Sequence, residues 1–371
     1  MVTELDDDVN QPADIKTLPL LSEQETIERI FQHIDNRTTD LGDTVWQEPV
    51  AHYHSQERFD AELLLLRQSP IPFCPSAALP ENGSYVARSA SGTPLLVARG
   101  MQVASGQGCQ KNFSCPYHAW TYGLDGALKG IPGQAAFPGL DKQEHGLVEV
   151  SAREFGGLIY VQQIGQISDE ALSDKPHFFT PDQVCFDQSE VADNANWKLI
   201  TETLLEGYHI KSLHQETFYP FGLDNINVVE VFGANARVVF PFKRIEKLRD
   251  LAPEDRKLDG MVTSVYHLFP NASVSLLSKH ASLTIMEPLS PTRTRLVSYY
   301  VMNSSTDDRP ITLEAAQRDV EFVNNAGQVE DRAAACAIQE TVSTPANPHL
   351  TFGYFEKAIV NFHQQLAQKI S

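Results

Sequence analysis

The sequence predicts an α+β fold, with a small all-β part ahead of a larger antiparallel sheet flanked by helices. Three observations carry that expectation. Short runs of β-branched and aromatic residues recur between turn signals from residue 41 to residue 165. A second series fills residues 226–303. Apolar residues at helical spacing stand before the first series and after the second.

Residues 1–20 read as an N-terminal arm. Ser22 then opens a helix, because Ser22 with Glu25 makes a capping box and Leu21 is placed as a staple. Ile27, Ile30, Phe31 and Ile34 follow on one face. Residues 41–90 have all-β texture with Pro and Gly punctuation. Pro80-Glu81-Asn82-Gly83 is a turn before the strand Ser84–Arg88, and Gly92-Thr93-Pro94 leads into Leu95–Ala98. Leu158–Val161 closes this part, and a polar linker runs to residue 182. Beyond it, Val228–Val231 and Arg237–Phe240 form a hairpin around Gly233-Ala234-Asn235. More strands are expected at 264–269, 273–277, 283–286 and 295–301. Helix returns over 311–340, and Phe355, Ala358, Ile359, Phe362 and Leu366 form a last apolar stripe.

The bulk numbers exclude several classes. A net charge of −19, from 29 basic and 48 acidic residues, argues against a nucleic-acid binder. No apolar run has membrane-spanning length. The sequence opens MVTELDDDVNQPAD, without the apolar core of a secretory leader. With five cysteines, an odd number, this points to a reducing, cytoplasmic setting without a disulfide framework.

Chemistry concentrates in Asn196–His214, which reads NWKLITETLLEGYHIKSLH. Two imidazoles and a carboxylate (Glu206, His209 and His214) are the material of a non-haem iron site. A helix would put Glu206 and His209 on one side. His214 lies five residues beyond His209, so the helix must end, bend or bulge between them for both rings to meet one ion. A second stretch, GCQKNFSCPYHAWTYGLDGALKGIP at 108–132, holds Cys115 and His118 at a Pro-stiffened, aromatic-flanked loop. Both side chains can point at one cluster.

The second stretch resembles the latter half of the Rieske 2Fe–2S motif. Residues 196–214 resemble the mononuclear iron motif of the Rieske-type non-haem iron aromatic-ring-hydroxylating oxygenases, large (alpha) subunit. The two motifs stand in that family's order, and the resemblance runs from about residue 45 to the C-terminus. It implies three parts: an arm and helix at 1–45 packing on the catalytic domain, a Rieske-like 2Fe–2S domain at 46–165, and a helix-grip catalytic domain at 166–371. It implies Fe(II) held by His209, His214 and Asp331, with Glu330 as the alternative acidic ligand. Glu206 then links an iron-side histidine to the cluster-side His118 of a neighbouring subunit in a homotrimer. The substrates implied are dioxygen and a small aromatic or quaternary ammonium molecule, hydroxylated or demethylated with electrons from a ferredoxin or flavin reductase. Glu206 in place of Asp resembles the carnitine- and choline-oxidising branch. For a cationic substrate, Tyr208, Phe218, Tyr219, Tyr266, Tyr299 and Tyr300 are available as aromatic walls.

One departure accompanies the resemblance. A Rieske cluster takes two thiolates on one iron and two imidazoles on the other. The family supplies them as Cys-x-His followed by Cys-x-x-His. Here the first half is missing: Leu96, Val97, Ala98 and Arg99 stand at the expected positions, and Arg99-Gly100-Met101 resembles the tail of the family's His-Arg-Gly. Cys115 and His118 are the remaining half, and Cys109 reads as a buried, inert thiol rather than a replacement ligand. The opposing expectation is a degenerate oxygenase that binds iron or a ligand in the helix-grip pocket without assembling a cluster.

Overall fold

The computed structural model describes residues 2–5, 18–99, 107–109, 112–305, 310–325 and 329–370. The N-terminal arm at 6–17, residues 100–106 and the Cys109 side chain lie outside the described part. The chain divides into two units, Met1–Lys16 with Leu66–Cys185, and Thr17–Leu65 with Phe186–Ser371.

The larger unit is built on a seven-stranded sheet. Its spatial order is Cys185–Asp193, Arg293–Met302, His280–Ser290, Ala272–Leu276, Val262–Leu268, Asn235–Pro241 and Val228–Phe232. Every register given within it is antiparallel. The hairpin expected at 233–235 is present, with Phe232 paired to Asn235 and Gly233 at φ +60° supplying the turn. Side-chain alternation explains the unbroken apolar runs in its strands. Val228 and Val239 are paired and join Ile27, Ile30 and Phe31 of the helix Glu23–Asn36. Their neighbours Val229 and Val238 join Phe362, Ile359 and Leu366 of the helix Lys357–Ile370. Both faces are covered, so both registers must be apolar. The Ser22–Glu25 capping box forms, with Ser22 N donating to Glu25 Oε2 at 2.8 Å.

The helix Trp197–Thr203 is buried through Glu202, and Trp197 meets Phe362 edge-on at 5.6 Å between ring centroids. Its Lys198 is fully buried and pairs with Glu62 at 2.6 Å, while Trp197 Nε1 donates to the other Glu62 oxygen at 2.8 Å. Glu62 belongs to the helix Gln56–Gln68, which corrects the all-β reading of 41–90. The segment is rich in helix-forming Gln, Glu, Ala, Leu and Arg. Its pattern is hidden because a carboxylate occupies the middle of the buried stripe Phe59, Glu62, Leu65 and Leu66. Through Leu65, residues 46–65 belong to the larger unit, whereas the sequence placed them in the smaller one.

The smaller unit holds three small sheets. Val2–Leu5, Thr93–Arg99, Ser84–Ala90 and Gln107–Cys109 form one. Ser151–Phe155, Leu158–Gln162 and Ile71–Pro75 form another, and Phe113–Ser114, Thr121–Tyr122 and Leu128–Gly130 a third. The expected linker after residue 165 instead packs into this unit. Gly156 and Gly157 have φ of +60° and +80°, and a Cβ on either would lie 2.5 Å from the carbonyl of Pro176 or Phe179. Only glycine permits that approach.

Candidate metal centre

His209 and His214 sit at the two ends of one short helical turn, Ile210–Leu213, as its N-cap and C-cap. The longer helix has already ended at Thr203. Glu206 and His209 are therefore neighbours across a turn, not on a helix face, which corrects the expected geometry. Glu206 makes that turn itself. Its Oε2 accepts from the backbone N–H groups of Tyr208 and His209, and its Oε1 meets His209 Nδ1. Gly207 stands at the apex, where a Cβ would lie 2.5 Å from the Asn227 amide and force that side chain to shift.

The acidic pair arrives from more than a hundred residues away, in the first turn of the helix Val329–Val342. Residues 311–340 are thus not one helix, since Leu313–Val323 forms a separate one. Two ties register the 329–342 helix. Arg332 makes paired 2.6 Å bonds to Asp193 of the edge strand. Gln339 Oε1 accepts from Asn196 N at 2.7 Å, and Gln339 Nε2 donates to the Tyr53 carbonyl at 3.2 Å. Asn196 caps the Trp197–Thr203 helix through its bond to Lys198 N. The two site-bearing segments are therefore pinned to each other at their bases.

The result is a convergent set. His214 Nε2 lies 3.0 Å and His209 Nε2 3.4 Å from the same Asp331 Oδ1. Ligating atoms of His209, His214 and Asp331 all lie within 4.8 Å of one another, and no other such group occurs among the described residues. On the far side of each ring stands a carboxylate: Glu206 on His209 Nδ1, and Glu330 on His214 Nδ1 at 2.7 Å. Glu330 also accepts from Thr217 Oγ1 at 2.7 Å. A carboxylate only accepts, so each Nδ1 carries the hydrogen. Each Nε2 also faces an anionic oxygen, and the space between them takes either a proton or a bound cation. Without the cation, protons take its place. Burial pulls His209 down, but its bonds to Asp331 and Glu206 outweigh that and raise it to about 10. His214 is raised in the same way, against burial, by Asp331 and Glu330. Burial pushes Asp331 up, and the two imidazoles more than reverse this and hold it below the ordinary carboxylate range. Two neutral imidazoles and a carboxylate fit ferrous iron.

Aromatic rings flank the set. Phe218 lies 5.0 Å from the His214 ring and 6.1 Å from Phe322, which also meets Phe221 at 6.3 Å. Of the six aromatic residues singled out in the sequence, Phe218 alone is placed against a candidate ligand ring in these contacts. Tyr208 is exposed and packs on Phe355, Tyr219 faces Lys211 and Lys243, Tyr266 faces Arg237, and Tyr299 is buried core. Tyr300 Oη bonds Asn324 at 2.8 Å. Thr217, Phe322 and the Nδ1-facing role of Glu330 were not visible in the sequence. The spacing of Thr217, three after His214, was the only signal.

In the smaller unit, Cys115 and His118 occupy the turn between Phe113–Ser114 and Thr121–Tyr122. The turn closes through Cys115 N to Trp120 O at 2.8 Å and Ala119 N to Cys115 O at 2.8 Å, with Ala119 at φ +57°. Tyr117 is 83% exposed, and His118 is exposed beside it. The sequence contains no Cys-x-His, so the motif offers one thiol and one imidazole where a cluster takes two of each. These residues do not complete a cluster site.

A seven-stranded sheet packed with helices and a convergent two-histidine, one-carboxylate set fit the class of mononuclear non-haem iron proteins. Sequence comparison makes the class specific. The model of the ring hydroxylating alpha subunit, catalytic domain, matches residues 182–371, and that of the Rieske [2Fe-2S] domain matches 97–141. The chain belongs to the ring-hydroxylating alpha-subunit family, whose cofactors are a 2Fe–2S cluster and a mononuclear Fe(II). It is 25% identical over 290 residues to a chloroplastic choline monooxygenase of Spinacia oleracea, covering 72% of this chain and 62% of that protein. It is 29% identical over 161 residues to the glycine betaine monooxygenase oxygenase subunit of Chromohalobacter salexigens, covering 37% of this chain and 36% of that one. The match thus spans less than two thirds of these curated relatives. In fold it is similar to the quaternary ammonium Rieske monooxygenase CntA in complex with L-carnitine, with a TM-score of 0.71, 17% identity, and coverage of 90% of this chain and 97% of that one.

Proposed function

We propose that this chain is the oxygenase component of a Rieske-type system that hydroxylates or demethylates a small quaternary ammonium substrate with dioxygen. The observation that carries the reading is the pair of Nε2 atoms facing one Asp331 oxygen, each ring held from behind by a carboxylate. His209, His214 and Asp331 would hold one Fe(II), which when bound supplies the activation of dioxygen. Glu206 and Glu330 fix the tautomers, so that both rings present neutral Nε2. Phe218, Phe221 and Phe322 offer ring faces to a trimethylammonium group. An open cleft of about 540 Å³ beside them is lined by Thr217, Arg318, Glu321, Phe322 and Asn325. The named relatives act on choline and glycine betaine, which supports the substrate class. Electrons would come from a ferredoxin or flavin reductase, and the working assembly would be a homotrimer in the cytoplasm. No helix among the described residues is long and apolar enough to cross a membrane.

The test is dioxygen uptake coupled to product formation from choline, glycine betaine and carnitine, with reductase present. Turnover that disappears in His214→Ala supports the proposal. Absence of turnover with all three, in protein that holds iron, overturns the substrate class. A second reading rests on the missing Cys-x-His: an oxygenase fold that binds iron but takes no electrons from a reductase through a cluster of its own. Product formation with hydrogen peroxide and none with reductase would select that reading.

A further inference from the structure

We infer that Glu330 is a positioning residue for the metal, the counterpart on His214 of Glu206 on His209. The inference rests on the proposed iron site. Adjacent residues of a helix project about 100° apart. In the first turn of Val329–Val342 this sends Asp331 to the Nε2 edge of His214, at 3.0 Å, and Glu330 to its Nδ1 edge, at 2.7 Å. One helical turn thus grips both edges of one imidazole. The ring is wholly buried, so no water competes for Nδ1. Glu330 is one-third exposed and had solvent as an alternative, yet Oε2 turns inward. Thr217 Oγ1 donates to the same Oε2 at 2.7 Å and holds it there. An imidazole whose N–H is held by a carboxylate is fixed in direction and made a stronger donor at its other nitrogen.

The experiment titrates the full chain anaerobically with Co(II), in wild type, Glu330→Ala, Glu330→Gln and Thr217→Val. Glu330→Ala is expected to bind about 10–100-fold more weakly, with native circular dichroism in the metal-free protein. Glu330→Gln keeps an acceptor without the charge and falls between, and Thr217→Val loses least. Proton NMR of the cobalt protein supplies the readout that a merely structural role would not move. Wild type shows two exchangeable, strongly shifted Nδ1–H resonances, one per histidine, and Glu330→Ala loses one of them to solvent exchange. Wild-type affinity and both resonances in Glu330→Ala would overturn the inference and leave the metal site standing. Complete loss of binding in Glu330→Gln would make Glu330 a ligand and overturn it too. A wild-type chain that takes up no cobalt removes the metal site itself, and the inference with it.

Discussion

The chain carries two histidine-bearing loops that meet opposite standards. Around His209 and His214, every ring nitrogen has a named partner, and three ligating groups converge. Around Cys115 and His118, the turn is closed by backbone bonds and by the Ser114 and Thr121 hydroxyls, and the imidazole is exposed. The difference lies in what stands behind each ligand. Directing an imidazole at a metal takes a second polar group on its far nitrogen and a rigid base beneath it. The larger unit supplies both, down to the Gln339 and Arg332 ties. The smaller supplies a well-formed turn and half a ligand set.

The strongest way to break this comparison is to remove a converging group. Asp331→Ala leaves the two Nε2 atoms with no anion between them, and turnover should fall to background. Activity within tenfold of wild type would mean that the set is not the reacting centre. Next in size is the base beneath it. Glu62→Gln strands the fully buried Lys198 ammonium, and loss of one partner of such a pair costs about 3–5 kcal/mol. Denaturant unfolding measures it, and a change under 1 kcal/mol would show that Lys198 is neutral or finds another partner.

Acid stability comes next, and it separates the buried carboxylates from those of the exposed loop. Burial raises Glu48, but bonds from His52 and Trp46 and the nearby His363 outweigh this and lower it to about 2 from 4.5. The folded value is depressed, so the contribution is complete above the unfolded value. It is lost as pH falls from about 4.5 to about 2, and amounts to roughly 3 kcal/mol. Glu48→Gln should flatten that part of the stability–pH curve, and an unchanged curve would count against the assignment. The smallest effect belongs to the other loop. Cys115→Ser and His118→Ala should leave bound iron unchanged and stability within about 0.5 kcal/mol, as for surface changes generally. Acid-labile sulfide in the wild type separates the two readings of the function, and its absence selects the oxygenase fold without a cluster of its own. Two sulfides per chain would show that residues outside the motif complete a cluster.

Much of the site was legible because its chemistry is local in sequence. Glu206, His209 and His214 fall within nine residues, and Glu330-Asp331 is an adjacent pair. The fold followed where burial is two-sided or alternates cleanly, as in Val228–Phe232 and Asn235–Pro241. What stayed hidden was set by tertiary partners. The helix Gln56–Gln68 carries a carboxylate in its buried stripe for the sake of a lysine 136 positions away. The turn at Glu206 forms because a side chain replaces helical hydrogen bonds, which spacing cannot reveal. Which member of the acidic pair faces which nitrogen depends on helix phase, and that is fixed by Arg332 and Gln339.

The most direct measurement is mononuclear iron per chain, counted apart from any held with acid-labile sulfide, after anaerobic loading with Fe(II) and removal of excess, in wild type, His209→Ala, His214→Ala and Asp331→Ala. One equivalent in the wild type and none in the three variants, all with native circular dichroism, is the result expected. Iron retained at one equivalent in any of the three, or absent from the wild type, would contradict the assignment of these side chains to a single metal centre.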